Sequence, residues 1–177
     1  MSIRSLPPTD VYLDTSVVVA GMYPGTPDAT ACRRFCQQLA TDGTHVYFSQ
    51  VLRLDLARAM RRLATKADKL AEEDQFRYRL DQWGSNPLIR QRWLTNGLRR
   101  FHAFLDQFEE AVEIPLTTAD WRQSLEFMAV EALDATDAMH LAVARSLGIN
   151  DFATTDGDFR RIIHPRIHLI RDADQPR

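Results

Sequence analysis

Four aspartates combine a useful residue type with a useful position. Asp14, Asp55, Asp137 and Asp156 each fall at the end of a short apolar run or within the opening turns of a helical one. Asp14 follows the run Val11 to Leu13 and precedes the polar pair Thr15-Ser16. In α/β folds ligands sit outside the carboxyl ends of the strands, so an acid delivered there is placed for use. If the strands are parallel, all four acids gather at one edge of one sheet, where only protonation or a divalent cation relieves their repulsion. Hard oxygen ligands without Cys or His favour Mg2+ or Mn2+. The chemistry that follows is metal-assisted attack of water on a phosphoryl group: a metal lowers the pKa of water to make the nucleophile and neutralises phosphoryl charge, and a second ion about 3.5 to 4 Å away would stabilise the leaving oxygen. Three of these acids, and Asp158 beside the fourth, also have a plainer structural use. Asp14 can cap a helix, Asp137 can be half of a capping pair, Asp158 can be a turn residue, and Asp55 can be salt-bridged to an arginine.

The elements that must position these acids alternate along the chain. Val11 to Leu13 reads as a strand, followed after Ser16 by a helical run. Asp28 or Thr30 opens a helix through Cys36 and Leu39 that ends near Asp42-Gly43. Val46 to Phe48 is a second strand, and Ser49 caps a helix from Gln50 to about Lys66. On that helix Val51, Leu52, Leu56, Ala59, Met60 and Leu63 form the apolar stripe, Arg53, Arg58, Arg61 and Arg62 lie outside it, and Asp55 falls on its edge. Residues 67–104 read as a helical excursion broken at Gly84-Ser85-Asn86-Pro87 and at Asn96-Gly97, with a helical pattern resuming from Phe101 to Glu110. Val112 to Ile114 is a third strand, and Thr117 or Thr118 opens a helix containing Trp121, Leu125 and Met128. Asp134 caps the next helix, which holds Asp137 and closes at Gly148. Phe152 to Thr155 and Ile167 to Ile170 complete the strands.

Composition bounds the class. With 177 residues, 45% hydrophobic and 26% charged, the chain is expected to be one soluble domain, 1–177, with a sizeable core. It carries neither an apolar leader near Met1 nor a run long enough to span a bilayer, so a cytoplasmic location without a membrane partner is expected. Cys32 and Cys36 lie four apart in one helix with no second pair to complete a zinc site, and read as small buried residues.

The net charge of −2 conceals an uneven distribution. Between Arg53 and Arg100 there are twelve Lys and Arg against six Asp and Glu, interleaved with Phe76, Tyr78, Trp83 and Trp93. That combination suits single-stranded nucleic acid, with Arg77, Arg79, Arg90 and Arg92 along the phosphates and aromatic faces under the bases. Two other uses are open. The stretch can be a helical hairpin with inward aromatics and solvated arginines, or part of a dimer or partner interface anchored by Trp83 and Trp93.

The segments LDTS around Asp14, FSQVLRLD ending at Asp55, TDAMHLAVA around Asp137 and TTDGDF around Asp156 resemble the PIN-domain ribonucleases, many of which are VapC toxins of VapBC toxin–antitoxin pairs. The likeness covers nearly the whole chain except the basic stretch, and its most specific part is DAMHLA followed by TTDGDF. It implies a three-layer α/β/α sandwich with a central, mainly parallel sheet and a helical insertion over 66–98. It also implies Mg2+- or Mn2+-dependent cleavage of RNA, a protein antitoxin as partner, and a homodimer. Carried over residue by residue, Asp14, Asp55, Asp137 and Asp156 are the catalytic, metal-holding acids. Ser16 matches a polar position that assists metal or phosphate binding, Thr154 the threonine before the last acid, and Asp158 a less regular acid. One position departs from the family pattern. Asp55 stands where glutamate is usual, which shortens the reach by about 1.5 Å. The alternative to the enzyme is therefore a catalytically weak PIN-fold module that binds RNA or protein. His140 reads as a helix residue hydrogen-bonded locally rather than as a catalytic group.

Overall fold

The computed structural model describes residues 8–65 and 87–172. Five strands form one sheet: β1 (Asp10–Leu13), β2 (His45–Ser49), β3 (Ala111–Ile114), β4 (Asp151–Thr154) and β5 (Arg166–Leu169). Their order is β3-β2-β1-β4-β5, and every neighbouring pair is parallel. The chain runs outward from β1 through β2 to β3, then returns to place β4 on the other side of β1. The strand order therefore reverses between β1 and β4, which is where open parallel sheets form a crevice at their carboxyl ends.

Val11, Tyr12 and Leu13 of β1 and all four residues of β4 are buried, as expected for central strands covered on both faces. The period of two then sorts the core. Val11, Leu13, Val46, Phe48 and Ala153 face one layer, built from α1 (Thr15–Met22), α2 (Ala29–Thr41), α3 (Gln50–Thr65) and α4 (Pro87–Leu105). Tyr12 and Phe152 face the other, built from α5 (Thr118–Val130), α6 (Ala135–Ser146) and the short 3-10 turn Gly157–Arg161. The result is an α/β/α sandwich. Cys32 and Cys36 are buried in the first layer, where burial pushes both thiols up to about 12.

Helix starts follow their caps. Thr117 and Asp120 form a reciprocal capping box on α5, Asp134 accepts from the backbone N–H groups of Thr136 and Asp137 on α6, and Gly148 takes the left-handed conformation just beyond it (φ 69°). Two expectations fail. The Asn96-Gly97 pair does not break a helix: α4 runs continuously from Pro87 to Leu105 and stops there, short of Glu110. Gly97 is buried against α3, and a Cβ at that position would lie 1.5 Å from the Met60 sulfur, so the glycine permits close packing of two helices instead of a turn. Residues 66–86 of the expected insertion, with Phe76, Arg77, Tyr78, Arg79, Trp83 and the break at Gly84-Ser85-Asn86, lie outside the described residues. Among those that are described, no helix is long and apolar enough to cross a membrane.

Candidate active site

The crevice predicted by strand order is present. A cleft of about 450 Å³ opens at the carboxyl ends of β1 and β4, and Asp14, Asp55, Asp137 and Asp156 all line it. Different elements deliver them: the exit of β1, the second turn of α3, the first turn of α6 and the exit of β4. Parallel strands put these exits on one side, so acids up to 142 positions apart share one space.

Asp14 is the most constrained of the four. It is buried, and its Oδ2 accepts from the Ser16 hydroxyl at 2.6 Å and from the Thr154 hydroxyl at 2.7 Å. Ser16 Oγ in turn accepts from the Thr155 backbone N–H at 2.9 Å, and Thr154 Oγ1 accepts from the Asp156 N–H at 2.9 Å. These bonds cross between the β1 and β4 exits and hold Oδ2, leaving Oδ1 without either hydroxyl. Although Asp14 sits at the N-cap position of α1, its side chain makes no capping bond. Asp156 caps the 3-10 turn by accepting from the Asp158 N–H at 2.8 Å.

The charges around Asp137 are unrelieved. Burial raises its carboxyl first, and Asp14, Asp134, Asp156 and Asp55 each raise it further, to about 8. Asp55 behaves in the opposite way. Burial alone would raise it, but the His140 ring and the Arg58 guanidinium outweigh burial and hold it below the usual carboxylate range. Arg58 lies 3.0 Å from Asp55 Oδ1, so the arginine partner expected from the sequence exists alongside the cleft position.

As posed, no three His, Cys, Asp or Glu side chains among the described residues converge closely enough to enclose an ion. The donor set nevertheless suits a hard divalent cation. It is all oxygen, Asp14 presents a fixed carboxylate, and the repulsion centred on Asp137 is the kind that a cation removes.

Several residues fall elsewhere. Asp158 is exposed on the 3-10 turn and does not line the cleft. Arg90 and Arg92 lie on α4, also outside the cleft lining, and Arg77 and Arg79 are not among the described residues. Trp93 is buried, only 4% exposed, so it packs inward and offers no surface anchor. The arginines that do line the cleft are Arg58 and Arg62, three and seven positions after Asp55, a spacing that shares its helix face. Thr15, Asp28 and Asp134 also line it, positions that the sequence reads only as part of the LDTS segment or as helix starts. His140 is not hydrogen-bonded locally within its helix. It is fully buried and bonds to distant elements, Tyr12 Oη at 2.9 Å and Thr15 Oγ1 at 3.1 Å, because α6 packs this face directly onto the sheet.

A family model, PIN domain, matches residues 11–164. The chain belongs to the PIN domain family. No curated protein matches its sequence. Among solved structures this PIN domain is similar to VapBC2 from Rickettsia felis bound to a DNA fragment from its promoter, with a TM-score of 0.56 and 11% identity over 90% of this chain and 97% of that one. It is likewise similar to VapC20 from Mycobacterium tuberculosis, described as a sarcin-ricin loop cleaving toxin, with a TM-score of 0.56 and 16% identity over 92% of this chain and 99% of that one. At these identities the likeness is one of fold, and the PIN sandwich is shared from end to end.

Proposed function

We propose that this PIN domain is a Mg2+- or Mn2+-dependent endoribonuclease and the toxin of a toxin–antitoxin pair, acting in the cytoplasm as a homodimer. The observation that carries the proposal is the convergence of Asp14, Asp55, Asp137 and Asp156 on one cleft, where burial and the neighbouring aspartates raise the Asp137 carboxyl to about 8. An arrangement this costly is retained when a cation is to be held. The family membership and the likeness to VapC20, an RNA-cleaving toxin, and to VapBC2, a toxin–antitoxin complex, support the substrate and the partner.

Asp14, Asp55, Asp137 and Asp156 are the residues that would hold the ion. When bound, a divalent cation supplies positive charge against the phosphoryl oxygens and acidifies water. The protein supplies the rest. Ser16 and Thr154 fix Asp14 in one orientation, and burial at the floor of the cleft keeps Asp14 away from bulk water. Arg58 and Arg62 give the acidic cleft a cationic wall along which a phosphodiester can lie. Asp134 and Thr136, which line the same cleft, stand at the start of α6, whose N-terminal N–H groups favour negative charge.

Cleavage of single-stranded RNA by purified protein tests this reading. Cleavage should require Mg2+ or Mn2+, stop in EDTA, and be lost in Asp14→Asn and Asp137→Asn proteins that remain folded. Cleavage that persists in EDTA would sink the metal mechanism. One observation favours a second reading, a catalytically weak RNA- or protein-binding module: the shortened Asp55 is already engaged by Arg58 at 3.0 Å. In that case wild type cleaves no RNA above background in either metal.

A further inference from the structure

Gly157 stands one residue beyond the cleft-lining Asp156 and opens the 3-10 turn Gly157–Arg161. Its φ is not in the left-handed region, so the turn itself has no need of glycine. What the missing side chain leaves is an opening flanked by two cations. A Cβ at this position would lie 3.5 Å from Arg171 Nη2 and 3.9 Å from both Cζ and Nε of Arg160. Those are ordinary contact distances, so both guanidiniums border the same space. Both arginines are exposed, and neither side chain has an ion pair or a hydrogen bond among the described residues.

The backbone holds both of them in place. Arg160 comes three positions after Gly157 in the 3-10 turn, the spacing at which side chains eclipse. Arg171 lies just past β5, between two tied neighbours. On one side the Ile170 N–H donates to Thr154 O at 2.8 Å. On the other the Asp172 N–H donates to Asp28 Oδ1 at 2.9 Å, and Asp172 Oδ1 accepts from the Ala31 N–H at 2.7 Å. Thr154 ends β4 and Asp28 is a buried residue of the cleft wall, so the chain leaving β5 is stitched to both. A cation on a tied backbone has less freedom to lose on binding than one on a loose tail.

Two guanidiniums that border one space with no acid between them repel, and an anion placed there turns the repulsion into attraction. Their planar forks suit the oxygens of a phosphate. Position decides whose phosphate it is. Parallel strands put the exits of β4 and β5 on the edge that carries the cleft, while Arg58 and Arg62 come from α3, which follows β2 on the other side of β1. A polyanion lying along this edge meets guanidiniums on both sides of the acids. We propose that Arg160 and Arg171 hold a non-scissile phosphate of single-stranded RNA over Gly157, on the β4–β5 side of the cleft. The choice of RNA rests on the nuclease reading above; the anion site rests on the two arginines.

Fluorescence anisotropy of an uncleavable 2′-O-methyl RNA oligonucleotide with the full chain in Mg2+, repeated over a range of salt, tests the site. Arg160→Gln combined with Arg171→Gln should bind about tenfold more weakly than wild type, and the slope of log affinity against log salt should fall by about 0.7, the value for one phosphate. Gly157→Val keeps both charges but fills the opening, and should bind as weakly as the double variant. Arg122→Gln removes a charge from an exposed position of α5 outside the cleft lining, and should bind like wild type. Circular dichroism verifies folding, and the exposed arginine pair decides the matter if the valine variant does not fold. Affinity and slope equal to wild type in the arginine pair overturn the proposal, as does wild-type binding by a folded Gly157→Val. A fall in slope of about 1.4 would mean two separate phosphates and overturns the shared site. Cleavage is followed on the same proteins. A wild type that cleaves RNA while the arginine pair binds it undiminished keeps the nuclease reading and loses this site; a wild type that cleaves nothing while the pair loses affinity does the reverse.

Discussion

Arg58 holds Asp55 at 3.0 Å from one turn further along the same helix, at the wall of the acidic cleft. The same carboxylate also stands 3.8 Å from His140 Nε2, so Asp55 is shared between a surface cation and a buried ring. A short acid tied in this way is the position at which the enzyme and the weak module differ.

Asp55→Asn should reduce Mg2+-dependent RNA cleavage by about 10- to 100-fold, the range seen when a metal site loses one supporting group. Asp55→Glu should retain or raise activity, because the longer side chain restores the family's usual reach. Initial rates on a short RNA, with circular dichroism to verify folding, decide the matter. Equal rates in all three proteins would remove Asp55 from the site.

Arg58 and Arg62, which line the cleft, should carry the RNA affinity that composition alone assigns to a longer basic stretch. Replacing both with Gln should lower the slope of log affinity against log salt by about 0.7 for every phosphate that the two arginines neutralise. Replacing Arg90 and Arg92, which lie on α4 away from the cleft, should change the slope less. The reverse ranking in salt titrations would move the RNA path onto α4.

The raised carboxyl of Asp137 predicts a pH dependence with a definite sign. Its folded value of about 8 lies above that of the unfolded chain, so between about 4 and 8 the native state binds the extra proton and stability falls as pH rises. Above pH 8 this contribution is flat. Saturating Mg2+ should abolish the fall, and Mg2+ affinity should climb with pH to about 8 as the proton ceases to compete. Thermal melts from pH 5 to 9, in EDTA and in Mg2+, measure both. Superimposable pH profiles in the two buffers would contradict a metal at Asp137.

Gly97→Ala should destabilise the protein by about 1 to 3 kcal/mol, because the new methyl would overlap the Met60 sulfur where α4 crosses α3. Met60→Ala in the same chain should recover part of that loss. Urea denaturation of the two single variants and the double variant gives the coupling; strict additivity would mean that the helices slide apart at little cost.

Much of this molecule is legible locally. The runs around Val11, Val46, Val112, Phe152 and Ile167 become the five strands, Asp134 and Gly148 bound α6, and Thr117 opens α5, because burial on one face and satisfaction of helix ends depend on near neighbours in the chain. The positions of the four acids at element ends are readable for the same reason, and with parallel strands that pattern is enough to predict a shared edge. Gly97 misleads because local sequence cannot distinguish a glycine that turns the chain from one that lets two helices touch.

What the residues do to one another is decided only when the sheet is assembled. Thr154 reaches Asp14 because β4 lies beside β1, and His140 reaches Tyr12 and Thr15 because α6 packs over that strand pair. Asp55 finds Arg58 and the cleft together because its edge of the α3 stripe faces the acids. These contacts span as many as 140 positions, and the energy of each depends on strand order and on the depth of burial around it. Periodicity records which face of an element is apolar; the partner of that face, and hence the crowding of charge around Asp137, exists only once the layers close.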